Sequence, residues 1–228
     1  MTVTDNTAST QPSTVSLLLA RLQLNAQHPD FRRDLRDAHA LHRRVMSLFP
    51  DAQGDLATPR AAFGILFRIE ASRSGPVMLV QSALPAHLDN LPIGYATAGD
   101  QRSLAPILDW IDTGIEVKYR IAAHPTSARR IPGQRRSTTI SLEGEEAADW
   151  WIRKADAAGL ELHGGGTGHL APAITGRNIR HHPIQFEGTA TIEDPVAVRT
   201  ALLQGIGKGK SYGCGLLTLA PARPRVSV

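Results

Sequence analysis

Apolar positions return along this chain in two rhythms. Unbroken or alternating runs predict strands, and returns every three or four residues predict helices. Residues 15–24, VSLLLARLQL, form a run of buried-strand length, followed by a loop over 25–31. In residues 33–49, Leu35, Ala38, Leu41, Val45 and Leu48 fall on one stripe, which predicts an amphipathic helix ended by Pro50. Residues 61–70 and 77–82 read as strands joined by a turn at Ser74-Gly75-Pro76. Residues 85–99 are punctuated by proline and glycine, 103–111 fit either a short helix or a strand, and 115–122 alternate as a strand.

The second half repeats the series. A short strand at 140–142 precedes a helix at 145–158, with Glu145 and Glu146 in its first turn and Gly159 as its stop. A glycine loop at 163–168, a strand at 184–192, a helix at 195–203 and a strand at 214–219 follow. The element order predicts an α+β chain of two tandem ferredoxin-like (RRM-like) βαββαβ domains. The first spans 15–124 and carries the helix at 33–49. The second spans 125–222 and carries a basic loop and a glycine-rich loop. Tails at 1–14 and 223–228 flank them, the first expected to be flexible.

The 228 residues are 42% hydrophobic, enough for a core in each half. A net charge of +4 points weakly to a polyanionic partner. The single cysteine, Cys214, rules out an intrachain disulfide or a cysteine zinc site and fits a reducing cytoplasm. No apolar run reaches membrane-spanning length, and residues 1–14 do not read as a signal peptide.

Candidate chemistry concentrates in residues 205–217, GIGKGKSYGCGLL, with five glycines and two lysines. Glycine permits close backbone approach, and Lys208 and Lys210 add point charge, so main-chain phosphate binding is one reading and a plain turn the other. A Walker A loop is excluded because Gln204 stands where its first glycine belongs and a strand, not a helix, follows. The dinucleotide pattern fails because its third glycine would be Lys210. Arg129, Arg130, Arg135 and Arg136 surround Pro132-Gly133 and form either a phosphate clamp or a soluble loop. His39 and His42 lie three apart and share a helical face. His163, His169, His181 and His182 match no ordinary zinc spacing and read as solvated.

The C-terminal third carries an ordered signature. Phe186-Glu187-Gly188 opens a strand and Asp194-Pro195 starts a helix. Gly205-Ile206-Gly207, Lys210, Gly213 and Gly215-Leu216-Leu217 then follow in register. Leu48-Phe49-Pro50, Tyr119-Arg120-Ile121-Ala122-Ala123-His124-Pro125 and Trp151-Ile152-Arg153-Lys154 add further marks. Together these resemble the CRISPR-associated endoribonucleases of the CasE (Cse-type) family over roughly residues 15–221. His124 departs from the family's usual asparagine, and the glycines at 164–168 are not a family mark.

The resemblance implies tandem ferredoxin-like domains and a subunit of the Cascade surveillance complex. It also implies metal-independent cleavage of a CRISPR repeat RNA hairpin, with no cofactor. In that chemistry the 2′-hydroxyl attacks the adjacent phosphate, leaving a 2′,3′-cyclic phosphate and a 5′-hydroxyl. His42 is matched to the catalytic histidine, and His39 stands where the family has tyrosine. Imidazole suits proton transfer near neutrality. Arg43, Arg44, Arg129, Arg130, Arg135, Arg136, Gly205, Gly207, Lys208, Gly209 and Lys210 are the expected RNA contacts. A non-catalytic hairpin-binding subunit of the same fold would keep the arginines and glycines without needing a histidine, and a purely structural assembly subunit would need neither.

Overall fold

The computed structural model describes residues 17–50, 63–130, 137–170, 173–175 and 179–222. Two four-stranded antiparallel sheets carry the fold, each with the strand order of a ferredoxin-like unit. The first holds β1 (Leu18–Leu24), β2 (Leu66–Ser72), β3 (Gly75–Ser82) and β4 (Ala96–Ser103) in the order β2-β3-β1-β4. Ala20, Leu22 and Leu24 of β1 alternate into a core with Phe31, Val45, Leu48, Phe67 and Tyr95.

Two helices cross between β1 and β2, where the sequence predicts one. α1 spans Pro29–Asp34 and α2 spans Ala38–Met46. The break has a polar cause. Asp34 is buried and accepts from Arg44 Nε at 2.8 Å and from the Tyr95 hydroxyl at 3.2 Å. Asp37 then caps α2 by accepting from the His39 amide at 3.0 Å. The break also releases Leu35 from the predicted stripe, leaving it 51% exposed. Between β3 and β4 only a 3-10 turn, Leu88–Asn90, stands in place of a helix.

The second sheet holds β5 (Glu116–Ala123), β8 (Leu160–His169), β11 (Ile184–Ile192) and β12 (Leu217–Pro221) in the order β12-β5-β11-β8. A short helix, α3 (Ala105–Trp110), precedes β5. α4 (Gly144–Asp156) and α5 (Pro195–Gln204) pack on this sheet through Trp150, Trp151, Val198 and Leu202. Two ribbons stand apart from the sheets: β6 (Thr126–Arg129) with β7 (Thr138–Ser141), and β9 (Ala173–Thr175) with β10 (Ile179–His181).

Three expectations change. The strand at 115–122 does not close the first unit. As β5 it pairs with β11 and β12, so the sheets divide between Ser103 and Glu116 rather than at 124. The strand at 140–142 belongs to a ribbon, not to the second sheet. The glycine stretch at 163–168 is the middle of β8. There Gly188 faces Gly165 so closely that a β-carbon at Gly188 would run into the Gly164 carbonyl. The tails at 1–14 and 223–228 lie outside the described residues.

Polar bonds stitch the halves together. Arg68 of β2 is 2% exposed and donates to the carbonyls of Leu216 at 2.7 Å and Arg120 at 3.0 Å, and to Thr218 Oγ1 at 3.0 Å. Gln81 of β3 donates to the Leu202 carbonyl at 2.6 Å. Among the described residues no helix is long and apolar enough to cross a membrane.

Candidate active site

α2 presents two different faces. Ala38 and Val45 are buried, His42 is half-buried, and His39 and Arg43 are exposed. Arg44 lies two residues, about 200°, around the helix from His42. Its guanidinium is taken by Asp34, with the Tyr95 ring 5.1 Å away. The carboxylates of Asp34 and Asp30 hold Arg44 above its ordinary pKa against the opposing effect of burial, which is the largest single influence. The sequence marks Arg44 as an RNA contact. The structure pairs it with Asp34 and leaves 18% of its side chain exposed.

The glycine-rich loop begins where α5 ends. Gly205, Gly207, Gly209, Gly213 and Gly215 all have left-handed φ, between 72° and 89°. Their neighbours explain why side chains are absent. A β-carbon at Gly205 would lie 2.9 Å from the Gly215 carbonyl and from Leu66, and one at Gly207 would lie 3.1 Å from Trp150. One at Gly213 would touch Phe67. The loop is therefore packed between the two sheets, with Leu66 and Phe67 from the first and Trp150 from the helix covering the second. Gly215 N–H donates to the Ala122 carbonyl at 2.7 Å, pinning the loop to β5.

Within this loop Lys210–Tyr212 form a 3-10 turn that packs against α2. The rings of Tyr212 and His39 meet edge to face, with centroids 5.5 Å apart at 83°. Lys208 is exposed and bridges in antiparallel fashion to His124, at the end of β5. His124 is buried, and its Nε2 lies 2.9 Å from Ser141 Oγ on β7. The β6–β7 ribbon starts two residues beyond His124, so it springs from the end of β5 where the loop crosses.

The fold thus brings α2, which carries His39 and His42, against the turn that holds Lys210. Lys208 and the base of the basic ribbon follow at the next crossing. Arg129 ends β6, paired at 2.8 Å with Glu146 in an exposed ion pair, and Arg130 follows it. Arg135 and Arg136 lie outside the described residues. His163, one of the four histidines read as solvated, hydrogen-bonds Thr191 Oγ1 at 2.5 Å. Among the described residues no group of three or more His, Cys, Asp or Glu side chains is arranged to hold a metal. Sequence reasoning does not single out Tyr212, although it is the only aromatic residue in its glycine-rich stretch.

Residues 17–221 match the family model described as CRISPR associated protein. The chain belongs to the CRISPR-associated protein family. Among relatives of that family, the CRISPR-associated endoribonuclease Cse3 of Thermus thermophilus is 26% identical over 220 residues, covering 89% of this chain and 99% of the relative. The Cascade subunit CasE of Escherichia coli is 29% identical over 198 residues, covering 82% and 93%. The Thermus thermophilus Cse3 structure with an RNA representing a pre-cleavage complex superposes with a TM-score of 0.76 at 26% identity, covering 90% and 100%.

Proposed function

We propose that this protein is a metal-independent endoribonuclease that cuts the hairpin of CRISPR repeat RNA and keeps the product as a subunit of a Cascade complex. One observation carries the reading: α2, which holds His39 and His42, packs against a glycine-rich turn bearing Lys210, with His39 on Tyr212. A relative named as an endoribonuclease and solved with pre-cleavage RNA supports it. A relative named as a Cascade subunit supports the assembly and, with the single cysteine, a cytoplasmic setting.

The chemistry needs two proton transfers and stabilisation of phosphate charge. His42 takes the proton of the 2′-hydroxyl, and the 2′-oxygen forms a bond to the adjacent phosphorus. The bond from phosphorus to the 5′-oxygen breaks, and that oxygen receives a proton from His39. Lys210, Lys208 and Arg43 offset the charge on the phosphate. Arg129, Arg130, Arg135 and Arg136 grip the hairpin backbone, as do main-chain groups at Gly207 and Gly209, whereas the Gly205 amide is already taken by the Ala201 carbonyl at 2.8 Å.

The test is cleavage of a labelled repeat hairpin in EDTA. The expected products carry a 2′,3′-cyclic phosphate and a 5′-hydroxyl. Tight binding without any cleavage would favour a non-catalytic hairpin-binding subunit. Neither binding nor cleavage would favour a structural one.

A further inference from the structure

We propose that Tyr212 is a positioning residue of the cleavage reaction, seating the His39 imidazole in one orientation towards the RNA. This inference rests on the endoribonuclease reading above.

The backbone of His39 is already fixed. Its amide donates to Asp37 Oδ1 at 3.0 Å, and the helix is anchored at the core on either side of it by Ala38 and Val45. Its side chain is exposed, and an exposed side chain divides its time among several staggered states. Only some of those states direct a ring nitrogen at a given phosphate. The Tyr212 ring supplies a restraint, standing 5.5 Å away at 83°, in the edge-to-face geometry that aromatic quadrupoles favour.

Tyr212 is itself held. Gly209 and Gly213 bracket its turn with φ of 79° and 83°, a shape other residues adopt only with strain. Its amide donates to the Gly209 carbonyl at 2.8 Å. Gly213 then lies on Phe67, and Cys214 is buried. At the other end of the turn the stem of Lys210 passes over Gly215, where a β-carbon would lie 3.2 Å from Lys210 Cγ. A rigid three-residue turn therefore offers the helix an aromatic ring and a cation in fixed relation. The glycines thus shape the loop that aims the histidine, in addition to any hold they have on RNA.

A double-mutant cycle tests this. Single-turnover cleavage and hairpin affinity are measured for wild type, Tyr212→Leu, Tyr212→Phe, His39→Ala and the combined Tyr212→Leu/His39→Ala. Leucine keeps apolar bulk but removes the ring. Tyr212→Leu should cut about 10-fold more slowly at saturation while hairpin Kd stays within about twofold. Tyr212→Phe should recover most of the rate. In the His39→Ala background, Tyr212→Leu should cost less than about twofold. Equal cost in both backgrounds, or weaker binding at an unchanged saturating rate, overturns the proposal. Should Tyr212→Leu not fold, Tyr212→Met takes its place. NMR supplies an arm independent of cleavage: the His39 Cε1 proton should carry a ring-current shift in wild type and Tyr212→Phe, and its absence from wild type also overturns the proposal. A wild type that binds the hairpin without cutting it overturns the endoribonuclease reading and this proposal with it. A cutting wild type with an additive cycle overturns this proposal alone.

Discussion

Arg68 Nη1 donates to the carbonyl of Leu216 at 2.7 Å, so a buried guanidinium of the first sheet holds the main chain of the second one residue beyond the glycine-rich loop. Its other hydrogen bonds reach Arg120, Thr218 and Glu70. Arg68→Met would strand those carbonyls and leave Glu70 without this partner, at a cost of about 3–5 kcal/mol. Melting should fall by roughly 6–20 °C. A melting temperature within about 2 °C of wild type would show that the arginine is dispensable to the joint.

The histidines divide into two tests. His42→Ala should lower the single-turnover rate by about 10²–10⁴-fold, the usual range for a general acid or base, with hairpin affinity changed only a few-fold. His39→Ala should slow cleavage by about 10²-fold, and His39→Tyr should regain part of the loss. Wild-type rates in either alanine variant would take that residue out of the mechanism.

The basic ribbon should act on binding rather than on rate. Neutralising Arg129, Arg130, Arg135 and Arg136 together should weaken the hairpin complex and lower the salt slope by roughly one unit for each phosphate no longer paired with a cation. The Arg129–Glu146 pair is exposed on both sides and worth at most about 1 kcal/mol, so removing it should hardly affect folding. An unchanged slope on titration with salt would make the ribbon a bystander.

Gly207→Ala should destabilise the protein even without RNA. It forces an L-residue into a left-handed φ of 80°, at a cost of about 1–2 kcal/mol, and presses a methyl on Trp150. Gly209→Ala meets the same backbone cost with more room, its nearest neighbours lying 3.5 Å away. Chemical denaturation should therefore rank Gly207→Ala below Gly209→Ala, and the reverse order would mean that Trp150 yields freely.

Strong periodicity makes most of the strand and helix pattern readable from sequence, including β1, β11 and α4. The failures have physical causes. β4 reads ATAGDQRS, an edge strand without an apolar face to betray it. β8 reads as a loop because its glycines serve close strand approach beside Gly188 rather than a turn. β5 is legible as a strand, but its sheet is not, since partnership with β11 and β12 is decided by residues more than 60 positions away. The face shared by His39 and His42 follows from spacing. The meeting of His39 with Tyr212 needs the whole fold, and Arg44 looks free in the sequence only because Asp34 and Tyr95 reach it through that fold.

The single cysteine makes the glycine-rich loop its own reporter. Cys214 is 1% exposed, and burial pushes its thiol up to about 12, so in the closed loop it is neither reachable nor ionised near neutrality. Alkylation of native protein should then proceed only through momentary opening, and its rate becomes a stopwatch for that motion. Bound hairpin should slow the labelling if RNA clasps the loop shut, and labelling at the unfolded rate would show that the loop stands open. Because the unfolded thiol ionises near 9 and the folded one only near 12, stability from this group holds below that window and falls as pH rises through it.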